Sequence, residues 1–141
     1  EFVEKAKCAD GFVFGSPVHY AAASGSITAF LDRVFVSAPS ETFRYKPAAA
    51  VVSARRGGAS AAFDQLNKYM TISQMPIVSS CYWNQVHGSR PEDVLKDAEG
   101  IRTVRVLAHN MAWLLRCIDA GRRAGVALPQ TEPPARTDFI R

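Results

Sequence analysis

Gly11-Phe12-Val13-Phe14-Gly15-Ser16-Pro17-Val18-His19-Tyr20 is the stretch that decides how the rest of the chain reads. A short apolar run bounded by glycines has the pattern of a strand buried on both faces. Ser16-Pro17 predicts the end of that strand, because proline removes a ladder donor, and the loop Val18-His19-Tyr20-Ala21-Ala22-Ala23 comes next. Ser24 then stands where a helix N-cap is expected, and Ile27, Phe30, Leu31, Val34 and Phe35 recur at steps of three and four. The stretch reads as one strand-loop-helix unit whose helix turns an apolar face to a core.

Outward from it the unit repeats. Ala48-Ala49-Ala50-Val51-Val52-Ser53 predicts a second buried strand, Ala54-Arg55-Arg56-Gly57-Gly58 a glycine-bearing turn, and residues 61–72 a helix with Phe63, Leu66 and Met70 inward. After Pro76, Ile77-Val78-Ser79-Ser80-Cys81-Tyr82-Trp83 predicts a third strand, with residues 84–90 as its loop and Pro91 opening a short acidic helix over 92–97. Residues 99–123 carry Ile101, Val104, Leu107, Met111, Leu114, Leu115 and Ile118 on one stripe, one long amphipathic helix. Strands alternating with helices imply an α/β domain over residues 1–125, with parallel strands, crossover helices and a sheet covered on both faces. Residues 126–141, with Pro129, Pro133 and Pro134, predict an extended tail whose apolar end, Phe139-Ile140, suits docking on this subunit or a neighbour. In open sheets of this kind ligands collect outside the carboxyl ends of the strands, so the loops at 16–25, 54–60 and 84–90 are where function is expected.

The 141 residues have a mass of 15.4 kDa, with 48% hydrophobic and 21% charged residues, which excludes global disorder. No apolar run approaches the ~20 residues a membrane helix needs, and no secretory signal opens the chain. Residues 1–100 balance ten Lys/Arg against ten Asp/Glu, so the whole net charge of +4 lies in residues 101–141. With no nucleic-acid motif and no aromatic interleaving, that excess reads as a solvated helix face, not a DNA or RNA surface. Cys8, Cys81 and Cys117 are far apart in sequence and form no Cys-x-x-Cys pair, so neither a disulfide framework nor a zinc site is encoded, and a cytoplasmic location is expected. Residue 1 is Glu1, and residues 1–10 read as the last turns of a helix with no strand before it, which predicts an N-terminal portion preceding Glu1.

The first loop has a proline followed by the small residues Ala21, Ala22, Ala23, Ser24 and Gly25, which permit close approach by a flat ligand. A flavin ring needs N–H donors and an aromatic or apolar wall, which the amides of residues 18–21 and the Tyr20 ring could supply; an ordinary loop with Tyr20 packing inward reads as well. The second loop could bring backbone N–H groups and the guanidiniums of Arg55 and Arg56 to the same ligand or to a nicotinamide phosphate, unless one is solvated and the other pairs with Asp64. Gly58-Ala59-Ser60-Ala61-Ala62 approximates a nucleophile elbow, yet Ser60 lies too far past its strand and fits a helix N-cap better. His19, His87 and His109 have no metal-ligand spacing; His19 draws interest from its loop, and His109 reads as a surface or packing residue. Tyr82-Trp83-Asn84 could wall the same cleft or pack in the core.

Ala9-Asp10-Gly11-Phe12-Val13-Phe14-Gly15-Ser16-Pro17-Val18-His19-Tyr20, Ser24-Gly25 and Phe30-Leu31-Asp32-Arg33 resemble the flavodoxin-like NADPH-dependent FMN reductase family and its iron-sulfur flavoprotein relatives. So do Ser53-Ala54-Arg55-Arg56-Gly57-Gly58-Ala59, Tyr82-Trp83-Asn84, Val86-His87-Gly88 and Asn110-Met111-Ala112-Trp113-Leu114-Leu115, and the likeness runs over nearly the whole chain. The resemblance implies a three-layer α/β/α fold with a parallel sheet and FMN at its carboxyl edge. It implies cofactor contacts from Ser16, Pro17, Val18, His19 and Tyr20 and from Ser53, Ala54, Arg55, Arg56, Gly57 and Gly58, with no side chain needed as a catalytic acid or base. NAD(P)H is then the co-substrate, and hydride passes through FMN to a quinone, nitro compound, flavin or metal acceptor. Family members begin with a strand and a phosphate-holding loop that have no counterpart here, so those strands, and any cluster cysteines, are expected before Glu1 and the chain alone is expected to bind FMN poorly. A homo-oligomer, dimer or tetramer, is expected. A non-catalytic electron carrier and a flavin-free oligomerising domain are the other readings, the first disfavoured by the basic charge.

Overall fold

The computed structural model describes residues 1–139. Helix α1 (Phe2–Cys8) leads into strand β1 (Phe12–His19), a two-residue strand β2 (Ala22–Ala23) and helix α2 (Gly25–Ser37). Strand β3 (Ala48–Ala54), helix α3 (Ala59–Ile72), the short strand β4 (Gln85–His87), helix α4 (Pro91–Val94) and helix α5 (Ala98–Arg123) complete the order. The sheet runs β2-β1-β3-β4; β1, β3 and β4 are parallel, and β2 folds back antiparallel on the end of β1. No described helix is long and apolar enough to cross a membrane.

Pro17 does not end β1, as the sequence suggested it would. Phe12 N–H donates to Pro47 O at 2.9 Å on the β3 side, and donors alternate along a strand, so Pro17 lies in the row facing away from β3. There its missing N–H costs no ladder bond. That outer row, Val13 and Gly15 with Pro17, lies along an edge of β1 unpaired before β2, and the Val13 side chain is 61% exposed. The sheet is therefore covered on both faces under β3 but only on one at β1, which corrects the expectation of full cover.

The predicted third strand fails for a different reason. Only Ile77 bridges to Ala48, and the strand proper forms later, at Gln85–His87. Between them the polar side chains take the backbone groups a ladder would need. Ser80 Oγ donates to Asn84 Oδ1 at 2.7 Å, and buried Asn84 Nδ2 donates to Ala50 O at 3.0 Å while Val52 N–H donates to Asn84 O at 2.9 Å. The arch is pinned to β3 through one asparagine. Helix α3 begins two residues earlier than expected, with Gly58 as its N-cap, so Ser60 lies exposed inside the first turn and the elbow reading lapses.

Two apolar layers flank β3. Phe14, Val52 and the alanines Ala48, Ala50 and Ala54 meet Leu31, Val34, Leu66 and Met70 of α2 and α3. On the other face Ala49, Val51 and Val78 meet Leu107, Met111 and Leu114 of α5. The alanine run lets both layers approach closely, and each fully buried leucine or methionine contributes about 1.5–3 kcal/mol of transfer free energy. Tyr69 Oη donates to Asp32 Oδ1 at 2.5 Å and ties α3 to α2; burial first, then the carboxylate, pushes its phenol up to about 12. From residue 126 the chain runs on without regular structure, exposed, touching the body where Arg44 donates to Thr131 Oγ1 at 2.9 Å. Phe139 is exposed and not docked on this subunit, and Ile140 lies outside the described residues.

Candidate functional site at the carboxyl edge

The ladder brings the three expected segments together, although residues 16–19, 22–23 and 85–87 are strand where loop was expected. Pro17 pairs with Ser53, Ser53 with Val86, and Ala54 with His87, so β1, β3 and β4 end side by side within two strand spacings, about 10 Å. Two surfaces arise there, a ledge beyond β1 and β3 and a cleft beyond β4.

The ledge starts as a hairpin where an open loop was expected. Val18 pairs with Ala23 and His19 with Ala22, leaving Tyr20 and Ala21 as the two turn residues. A two-residue turn that matches the strand twist needs positive φ at both positions, and both have it, at 49° and 60°. Neither is glycine, so each carries strain of about 1 kcal/mol or more. Three contacts hold the turn in place. Ala23 N–H donates to Gln65 Oε1 of α3 at 3.0 Å, and Ser24 N–H donates to Ser16 Oγ at 2.9 Å. Gly58, at φ 89°, is pressed against Ala21: a Cβ there would lie 2.6 Å from Ala21 Cα and 3.1 Å from Val18 Cγ1.

The residues named from sequence divide by this geometry. Ser16 is buried and its hydroxyl serves the fold, donating to Pro17 O at 2.8 Å, so it presents no side chain outward. Ala54 is buried, Val18 and Ser53 are half-buried, and Pro17, His19 and Tyr20 are exposed, the Tyr20 ring fully so. Arg55 and Arg56 are exposed and make no ion pair among the described residues, so pairing with Asp64 does not occur. Among the described residues the N–H groups of residues 55–58 donate to no acceptor, and the space beside Gly57 is open. Free donors at the start of a 14-residue helix, with two guanidiniums above them, suit the oxygens of a flat electron-poor ring or a phosphate.

The cleft was only partly legible. Tyr82 and Trp83 meet edge to face with centroids 4.7 Å apart, and both stay about half exposed. With Gln85, His87, Asp97, Glu99, Gly100 and Thr103 they line a cavity of about 220 Å³. Asp97 organises it: its Oδ1 accepts from Gly100 N–H at 2.9 Å as the N-cap of α5, and its Oδ2 accepts from His87 N–H at 2.7 Å on the free edge of β4. The Gly100 bond first, then those to His87, hold its carboxyl below the ordinary value of 3.8, against the opposing effect of burial. His87 Nδ1 stands 3.7 Å from the same oxygen. Gln85, Asp97, Glu99 and Thr103 were not read from the sequence as one site; Asp97 directly before an amphipathic stripe was the available cap signal. Cys8, Cys81 and Cys117 are unpaired and exposed, and no cluster of three His, Cys, Asp or Glu forms among the described residues.

A family model described as NADPH-dependent FMN reductase matches residues 1–89. An iron-sulfur flavoprotein of Methanocaldococcus jannaschii is 29% identical over 125 residues, covering 84% of this chain, and the chain spans 65% of that relative's length. Among solved structures, RosB with a bound 8-demethyl-8-formylriboflavin-5′-phosphate intermediate aligns with a TM-score of 0.62 at 15% identity, over 99% of this chain and 66% of its own. The Trp repressor binding protein of Bacillus subtilis gives a TM-score of 0.60 at 17% identity, over 78% and 66% of the two chains. The WrbA-like flavodoxin of Agrobacterium tumefaciens gives 0.56 at 17%, over 76% and 71%. At such identities the structural likeness is one of fold, an α/β flavodoxin-like arrangement of helices about a mostly parallel four-stranded sheet.

Proposed function

The chain belongs to the NADPH-dependent FMN reductase family, and on that premise we propose that it is an FMN-dependent NAD(P)H oxidoreductase acting on a quinone, nitro compound, free flavin or metal acceptor. The observation that carries the reading is the seating of Gly58 against Val18 and Ala21, which locks the hairpin and the 55–58 turn into one ledge. FMN, when bound, supplies the hydride-accepting centre, and the protein's part is orientation and electrostatics. The unpaired N–H groups of residues 55–58 would hold the polar edge of the ring system, with Pro17, Val18, His19 and Tyr20 as its wall. Arg55 and Arg56 would offset the negative charge of a reduced ring or of a nicotinamide nucleotide phosphate. Ser16 would act from beneath, through the Pro17 carbonyl and Ser24 N–H that its hydroxyl bonds, and Ser53 as a ladder residue of β3 between Pro17 and Val86.

The same reading takes the working form as a homo-oligomer with small-molecule partners, without nucleic acid or membrane. The half-covered β1, with Val13 and its row of outward backbone groups, is the surface that supports assembly. The test is to titrate the purified protein with FMN, following quenching of flavin fluorescence, and then add NADPH anaerobically. Saturable quenching, in place of the poor binding expected from the absent phosphate-holding loop, and then bleaching of the flavin absorbance are the outcomes this reading requires. Flavin that stays free, or bound flavin that NADPH does not bleach, removes the reading.

A further inference from the structure

The cleft beyond β4 has a chemistry the ledge lacks. Its ionisable lining is Asp97, Glu99, His87 and Tyr82, with no Lys or Arg, in a chain whose net charge is +4. Arg102, on the next turn of α5, is engaged at Cys81 Sγ, 3.6 Å away. The N-terminal dipole of α5 is already met by Asp97, so it does not recruit an external anion. Tyr82 and Trp83 offer π-faces to solvent at 55% and 50% exposure, which costs free energy unless something covers them. Gln85, which also lines the cleft, has a buried Oε1 without a hydrogen-bond partner among the described residues, so it adds a further acceptor to this lining.

From this arrangement we propose that the cleft binds a planar cationic ring of the N-alkylpyridinium class, held between the Tyr82-Trp83 pair and the Asp97 and Glu99 carboxylates. The volume of about 220 Å³ admits one ring with a small substituent and no dinucleotide. A phosphate or carboxylate would meet two like charges there, whereas a pyridinium gains both the carboxylates and the aromatic quadrupoles. That the natural occupant is the oxidised nicotinamide head rests on the oxidoreductase reading; the cation preference does not. The Ala54–His87 pairing makes the strand ends that carry the 55–58 turn and the cleft neighbours in the sheet.

Trp83 and Trp113 are the chain's two tryptophans, and Trp113 is exposed outside the cleft, so Trp113→Phe makes Trp83 the reporter. Titrating that protein without flavin, 1-methylnicotinamide should quench Trp83 saturably, with neutral nicotinamide about fivefold weaker and nicotinate weaker still. Glu99→Gln should shrink the preference for the cation while leaving FMN titration unchanged. Linear quenching that is equal for all three probes, or tightest binding of nicotinate, overturns the proposal. FMN is titrated in parallel: flavin binding without probe binding sinks this inference alone, and probe binding without flavin binding sinks the reductase reading and leaves the cleft standing.

Discussion

Ala54 and His87 are partners in one ladder, yet the chain builds opposite surfaces from them. Past Ala54 it enters a turn of two free guanidiniums and two glycines, strapped to a strained hairpin. Past His87 it loops away and returns ten residues later to place Asp97 on the backbone of His87 itself. The ledge is cationic, and its donors are main-chain groups. The cleft is acidic and aromatic, and its acceptors are side chains. Strand order brings the two surfaces together, and the residues that leave each strand decide their polarity.

The harshest way to break the ledge without touching the cleft is Gly58→Val. A β-branched residue at φ 89° is strained whatever the space, and here its Cβ would collide with Ala21 Cα. A loss of about 3 kcal/mol in stability is expected, read as a fall in denaturation midpoint, together with loss of FMN binding. If the variant still folds at low temperature, 1-methylnicotinamide quenching of Trp83 should persist. Equal loss at both surfaces would mean they are one site.

The reciprocal variant is Asp97→Ala, which removes the α5 cap and the acceptor of His87 N–H. About 1–2 kcal/mol of stability should go, with FMN titration unchanged and probe binding in the cleft impaired. Because the carboxyl is held below its ordinary value in the folded protein, its stabilisation is complete above that value and is lost as pH falls through the depressed one. Asp97→Asn should therefore flatten the acid limb of a melting-temperature profile. A wild-type limb retained in full would assign it to other carboxylates.

The difference in range between the two surfaces also explains how much the sequence could show. The ledge is local: Pro17, the small residues after Tyr20, and Arg55-Arg56-Gly57-Gly58 each lie within a few residues of a strand end, and turn chemistry is written at that distance. Even so, Pro17 misleads, because whether a proline ends a strand depends on which neighbour its nitrogen faces, and only the register of β1 on β3 tells. The hairpin is hidden too, since Tyr20-Ala21 lacks the glycine or asparagine that announces such a turn. The cleft is less legible still. Ser79 and Ser80 look like strand positions until Asn110 Nδ2 is seen to take Ser79 O and Asn84 Nδ2 to take Ala50 O. Asp97 closes on His87 only once α5 is laid along β4. The core was the easiest part, because burial of Leu31, Leu66, Met70 and Leu107 comes directly from helical spacing.

A gentler probe of the comparison is charge on the ledge. Arg55→Ala and Arg56→Ala, made singly, remove exposed groups that make no hydrogen bond or ion pair among the described residues, so stability should move by less than about 0.5 kcal/mol. If either guanidinium meets the nucleotide phosphate, kcat/KM for NADPH should fall about fivefold to tenfold with NADH unaffected, a loss of about 1 kcal/mol or slightly more. The same variants should leave the cation preference of the cleft as it was. Unchanged turnover with both nucleotides in both variants would remove the arginines from the site.

The smallest expected effect has the opposite sign. Ala21 sits at φ 60°, where an L side chain costs about 1–2 kcal/mol, and Ala21→Gly relieves that cost while giving the unfolded chain about 0.5–1 kcal/mol of extra entropy. The balance is a gain of a few tenths to about 1 kcal/mol. Substitution also deletes the Cβ that lies 2.9 Å from where a Gly58 side chain would begin, so it loosens the strap between hairpin and turn. A protein that melts higher yet binds FMN more weakly would show that the strained alanine is kept to hold the ledge rigid for its ligand. Higher stability with undiminished FMN binding would make the strain incidental, and the contrast between ledge and cleft would then rest on charge alone.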